Sequence, residues 1–107
     1  VLLVAYGTPS RIAMSAIEQL AERGVKAGLF RPITLWPFPY AALKKAASQA
    51  SVQAVLTVEM SLGQMVDDVR LAVEGEKPVY FEGRAGGSIP TLTQIVDAAE
   101  RALKGGK

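Results

Sequence analysis

Four times along this chain a short apolar run is followed by a stripe of apolar residues at helical spacing, and that alternation leaves few folds open. Val1–Tyr6 is continuous, apolar and stops at Gly7, as expected of a strand buried on both faces. Thr8–Pro9 then predicts a capping hydroxyl ahead of a proline at the first helical position. Ile12, Ala13, Ala16, Ile17, Leu20 and Ala21 form the stripe of a first helix, with Gly24 as its stop. Val25–Leu29, extended as far as Ile33, is the second predicted strand. A helix from Tyr40 to about Gln49, partly buried, follows the Trp36-Pro37-Phe38-Pro39 segment. Ala54–Met60 reads as a third strand. Leu62, Met65, Val66, Val69 and Val73 then give one face of a third helix closed by Gly75. Pro78–Glu82 is a fourth strand. Thr91 with Gln94 three residues on is a capping box for a last helix lined by Leu92, Ile95, Val96, Ala99 and Leu103. Short connections between alternating strands and helices predict a parallel sheet with right-handed crossovers and helices on both faces. The default strand order for such a doubly wound sheet is 2-1-3-4.

One domain fits the length of 107 residues. The chain opens on Val1 inside an apolar run, which reads as a piece of a longer polypeptide. Cysteine and histidine are both missing from it. This chain by itself therefore supplies no disulfide, cysteine-ligated cluster, thiol nucleophile, Ser-His-Asp triad or ordinary zinc site. Twelve Lys+Arg against ten Asp+Glu leave a net charge of only +2, with no basic block. A stripe that would follow a phosphate backbone is not there, and nucleic acid is not an expected partner. The longest apolar run, Val1–Tyr6, is far too short to span a membrane.

Open parallel sheets bind ligands beyond the carboxyl ends of their strands, where the strand order reverses. With order 2-1-3-4 that point falls between the first and third strands. The candidate loops there are Gly7-Thr8-Pro9-Ser10 and Glu59-Met60-Ser61-Leu62-Gly63-Gln64. Gly83-Arg84-Ala85-Gly86-Gly87-Ser88 ends the fourth strand on the same edge. Gly7, Thr8 and Ser10 offer either an anion cradle or plain helix capping. Glu59 ends an apolar strand as either a perturbed site carboxylate or a partner for the next helix N-terminus. Gly63, with Ser61 and Gln64, allows a close approach or merely a tight turn. Arg84 among glycines fits a phosphate cradle or a flexible connection. Trp36 and Phe38, locked between prolines, are candidate interface anchors, one or the other expected to be partly exposed here, or else core residues of their own domain.

Four segments together resemble a known family. They are Val-Leu-Leu-Val-Ala-Tyr-Gly-Thr-Pro-Ser-Arg (1–11), Phe-Arg-Pro-Ile-Thr-Leu-Trp-Pro-Phe-Pro (30–39), Val-Glu-Met-Ser-Leu-Gly-Gln-Met (58–65) and Gly-Arg-Ala-Gly-Gly-Ser-Ile-Pro-Thr (83–91). The chain resembles the C-terminal domain of the alpha subunit of 2-oxoacid:ferredoxin oxidoreductases, the branched-chain (2-oxoisovalerate) and 2-oxoglutarate members above all. The resemblance implies a three-layer α/β/α domain with a mainly parallel sheet, like the C-terminal domain of transketolase. In that family a further antiparallel strand usually precedes the first strand seen here. The parent enzymes oxidatively decarboxylate a 2-oxoacid to an acyl-CoA with electrons passed to ferredoxin. They use thiamine diphosphate with magnesium, iron–sulfur clusters and coenzyme A. The resemblance implies a cytoplasmic enzyme whose other subunits and preceding domains are this domain's partners. It carries over no catalytic or metal residue, because the diphosphate-binding Gly-Asp-Gly and the cluster cysteines are missing from this sequence. The implied role is assembly at the border of the active-site region. Two alternatives stand beside it: the equivalent domain of a transketolase-like or 2-oxoacid dehydrogenase enzyme, and a freestanding module for a small anion.

Overall fold

A computed structural model describes residues 1–32, 38–59, 65–73, 77–83 and 90–104. Its elements alternate in chain order as β1 (Leu2–Ala5), α1 (Thr8–Glu22), β2 (Gly28–Phe30), α2 (Tyr40–Ala47), β3 (Val55–Glu59), α3 (Val66–Val73), β4 (Val79–Gly83) and α4 (Leu92–Leu103). The sheet order is β2-β1-β3-β4, and every pairing is parallel. The three-layer fold and the default strand order expected from the sequence are both present.

Alternation along the strands divides the interior in two. Leu3 and Ala5 of β1 and Leu56 and Val58 of β3 face α1 and α4, where Ala13, Ala16, Leu20, Ile95, Val96 and Ala99 close the layer. Leu2 and Val4 of β1 and Val55 of β3 face α2 and α3, against Leu43, Ala47, Met65, Val69 and Val73. The central strands β1 and β3 are buried throughout, which is why β1 reads as an unbroken apolar run and β3 as a mainly apolar one. Each helix pair is also tied across its surface. Arg23 bonds Glu100 at 2.7 Å between α1 and α4, and the Tyr40 hydroxyl donates to Asp68 at 2.5 Å between α2 and α3.

Several boundaries differ from the sequence reading, each for a local reason. Val25 does not start β2. Its N–H donates to the Leu20 carbonyl and that of Gly24 to Ala21, with Gly24 at φ 79°. That is a Schellman stop, so the residue after the glycine belongs to the helix end and β2 waits until Gly28. Thr8 is not the cap of α1. Gly7 holds the cap position, Thr8 is the first helical residue, and no side chain caps the helix. Leu92, expected on the inner face of α4, is 37% exposed at the first turn. The Thr91–Gln94 capping box is present as read: Thr91 Oγ1 accepts the Gln94 N–H and Gln94 Oε1 accepts the Thr91 N–H.

Of Trp36 and Phe38, one of which is expected to be partly exposed, the described residue is Phe38. It is 6% exposed and lies in the cluster under α2 and α3. Pro39 caps α2, which makes Phe38 and Leu43 the two positions of a hydrophobic staple, and both are buried in that cluster. The Phe38 ring meets Tyr40 with centroids 5.2 Å apart. Trp36 lies outside the described residues.

Candidate functional site

The strand order reverses between β1 and β3, the point at which open parallel sheets present ligands beyond the carboxyl ends of their strands. Ala5 pairs with Val58, so Gly7 and Glu59 leave neighbouring strands within a residue or two of each other. Gly7 has φ 64° and ψ −145°, a conformation essentially confined to glycine. Among the described residues a Cβ there would meet nothing within 4 Å, so the demand for glycine comes from the backbone conformation. Ser10, 1% exposed, turns back on this residue. Its Oγ donates to the Gly7 carbonyl at 2.6 Å, and its N–H donates to the same oxygen at 3.0 Å. Thr8 is exposed.

Glu59 is 1% exposed. One carboxylate oxygen accepts the Met65 N–H at 2.7 Å and the other accepts the Val66 N–H at 3.0 Å. Val66 begins α3, so the buried charge sits against the positive end of that helix. These two bonds are those of a helix-start partner. On the far side Glu59 pairs with Gly83 of β4, next to Arg84 in sequence. Ser61, Gly63, Gln64 and Arg84 lie outside the described residues. The structure thus brings Gly7, Ser10 and Glu59 to one edge of the sheet. Ser10 and Glu59 meet backbone groups of their own loops there.

Three groups escaped the sequence reading. Thr57, two residues before Glu59 on the same face of β3, is fully buried, and among the described residues its hydroxyl has no hydrogen-bond partner. The signal for it was a lone hydroxyl inside an apolar run. Glu82 points inward from β4 toward Arg101 of α4 at 3.5 Å; an inward charge on an outer strand discourages further pairing. Lys77 donates to the carbonyls of Gln49 and Val52 and so fastens the end of α2 to the start of β4. At the surface, donation to Asp68 holds the Tyr40 phenol above its ordinary value. Among the described residues no group of three or more His, Cys, Asp or Glu side chains converges to hold a metal ion. None of the described helices is long and apolar enough to cross a membrane.

A family model described as pyruvate:ferredoxin oxidoreductase core domain II matches residues 1–95. The chain belongs to that family. This agrees with the resemblance carried by the four segments. The core domain is 39% identical to the ketoisovalerate oxidoreductase subunit VorB of Methanothermobacter thermautotrophicus over 97 residues, 91% of this chain and 27% of the relative. It is 34% identical to the 2-oxoglutarate synthase subunit KorA of Methanothermobacter marburgensis over 97 residues, 91% of this chain and 25% of the relative. The chain thus spans about a quarter of the length of these curated relatives. Among solved structures, a split-gene transketolase, an inactive beta4 tetramer, superposes with a TM-score of 0.80 at 23% identity, over 96% of this chain and 38% of that one. A 2-oxoglutarate:ferredoxin oxidoreductase from Magnetococcus marinus superposes with a TM-score of 0.72 at 19% identity, over 95% of this chain and 17% of that one. At these identities the superpositions establish the fold, a three-layer domain of the transketolase C-terminal type.

Proposed function

We propose that this chain is the assembly domain of a 2-oxoacid:ferredoxin oxidoreductase and takes no direct part in its chemistry. The parent reaction is the oxidative decarboxylation of a 2-oxoacid to an acyl-CoA, with electrons delivered to ferredoxin. The observation that carries the reading is that one domain sequence, matched over more than nine-tenths of its length, recurs in proteins named for ketoisovalerate and for 2-oxoglutarate. The family itself is described by pyruvate. These acids differ in size and charge beyond the shared 2-oxoacid group. A domain common to their enzymes serves what they share, and substrate choice lies elsewhere.

The donor set supports the same division. A chain without cysteine or histidine does not fit an iron–sulfur cluster. The Glu59 carboxylate, committed to α3, does not fit a magnesium-bound diphosphate. Thiamine diphosphate, magnesium, the clusters and coenzyme A therefore belong to other domains and subunits of the parent enzyme, a cytoplasmic complex. The alternative of a small-anion module is disfavoured by Ser10, whose hydroxyl is turned onto Gly7. The transketolase alternative rests on likeness of fold, whereas the family match is to the oxidoreductases.

The test is the purified enzyme that contains this chain, supplied with coenzyme A and ferredoxin or a viologen dye. A panel of 2-oxoisovalerate, 2-oxoglutarate and pyruvate should show coenzyme A-dependent dye reduction with at least one acid. No reduction with any of them overturns the reading. Calorimetry of the 107-residue chain with thiamine diphosphate and magnesium should show no saturable heat, and micromolar binding would overturn the assignment of an assembly role.

A further inference from the structure

We infer that Glu59 is a positioning residue for the parent enzyme's reaction, holding the end of β3 and the start of α3 at a fixed separation where the strand order reverses. The inference rests on the function proposed above. Taking a carboxylate out of water is costly, and only well-made hydrogen bonds offset it. Capping a helix does not require that cost. At α4 an exposed hydroxyl and amide from the helix's own start satisfy the first N–H groups. At α3 the acceptor comes instead from the preceding strand, six and seven residues upstream of the donors, and is buried. A local cap would satisfy the same donors. What the long reach adds is a constraint across residues 60–64, whose two flanks are pinned to each other.

The place of this constraint gives it a consequence. Glu59 is the last residue of a central strand, at the reversal of strand order where open parallel sheets present ligands. The opposite flank is pinned as well, since Ser10 closes on Gly7 through both its hydroxyl and its N–H. Both flanks of this reversal point are thus set by bonds within the domain. A catalytic constellation that borders such a domain is sensitive to sub-ångström errors in its supporting groups.

The experiment uses the assembled enzyme, with Glu59→Gln and Glu59→Asp compared to wild type. Glutamine keeps the shape and turns an amide group toward a backbone donor, whereas aspartate keeps the charge and shortens the reach. Three quantities are read per assembled complex: kcat and KM for the 2-oxoacid, KM for coenzyme A, and site-resolved hydrogen exchange at the Met65 and Val66 amides. The expected result for Glu59→Gln is at least tenfold faster exchange at those two amides and at least a threefold loss of kcat/KM for one substrate. Faster exchange with unchanged kinetic constants makes Glu59 a purely structural anchor and overturns the inference. Unchanged exchange also overturns it. If Glu59→Gln does not assemble, Glu59→Asp is judged by the same criteria, and failure of both to assemble assigns Glu59 to folding and overturns positioning. A wild-type complex that oxidises no 2-oxoacid overturns the proposed function itself, before any variant is compared.

Discussion

Helix α4 begins with groups taken from its own first turn, whereas α3 begins on a carboxylate that belongs to the preceding strand. The α4 cap is exposed and reciprocal, with Thr91 and Gln94 each satisfying the other's backbone N–H. The α3 start is buried under Glu59 and is held on its outer side by Tyr40, which donates to Asp68 of the first turn. Water can replace the α4 cap when it is lost, because its donors lie at the surface. It cannot reach Met65, which is 1% exposed. The same task, satisfying the first N–H groups of a helix, therefore has a different energy at the two sites.

The largest effect tests whether the α3 side of the sheet is packed as tightly as this contrast requires. Val69 is fully buried on the inner face of α3. Val69→Asp places an unpaired charge there and should cost more than about 3 kcal/mol in a denaturation experiment. A melting temperature within a degree or two of the parent would mean that α3 does not present this face to the sheet. Next comes the direct comparison of the two helix starts. Glu59→Leu strands two buried donors and should cost about 2–3 kcal/mol. Thr91→Ala removes an exposed cap and should cost about 1 kcal/mol. Equal losses would show that burial adds nothing at α3, and the contrast would fail.

How far these features could be read from the sequence depends on how local their causes are. The Thr91–Gln94 box is spelled out within four residues and was read directly. So was β1, because burial on both faces writes itself as an unbroken apolar run, and β3 is legible from Val55, Leu56 and Val58; the order 2-1-3-4 is only the default for a doubly wound sheet, since the spacing of elements does not fix it. The end of α1 was harder. Gly24 marked the stop, but the bond from Val25 back to Leu20 takes a β-branched residue that looks like strand. Phe38 between its prolines reads equally as an interface anchor and as core of its own domain. Its burial depends on Leu43 one turn into the next helix. Glu59 stands out as a carboxylate ending an apolar strand, and a bond to the start of the next helix is one of its two readings, but the particular N–H groups it meets carry no sequence signature. Thr57 was passed over because threonine and valine have nearly the same shape in a strand.

Thr57 gives a smaller and sharper test on the same face of β3. Glu59 shows a buried polar group with its bonds made, and Thr57 shows one without a partner among the described residues. Replacing a partnered group by an apolar one is costly, whereas replacing an unpartnered one removes only a desolvation penalty. Thr57→Val should therefore be neutral or stabilise the chain by up to about 1 kcal/mol, read from denaturant midpoints. A loss larger than that would show that the hydroxyl has a partner and that the two positions do not differ as described.

The smallest effect concerns the outer brace of α3. The Tyr40 phenol donates to Asp68, and its ionisation would set a phenolate against that carboxylate; the hydrogen bond is the leading cause that raises its value above 10.0. A group whose folded value is raised contributes stability that is fully present below the unfolded value and is lost as pH rises through the folded one. The brace is thus intact at neutral pH and released only in alkali, beyond the usual range for a tyrosine. Because the site is open to solvent, screening keeps its effect on stability small. The observable is the phenolate absorbance during an alkaline titration. Tyr6 and Tyr80 also absorb, so the Tyr40 component is taken as the difference between the parent and Tyr40→Phe. Asp68→Asn removes the negative charge and should return that component toward the ordinary value. If the component already titrates normally in the parent, the Tyr40–Asp68 bond is not held in solution, and α3 rests at its start on Glu59 alone.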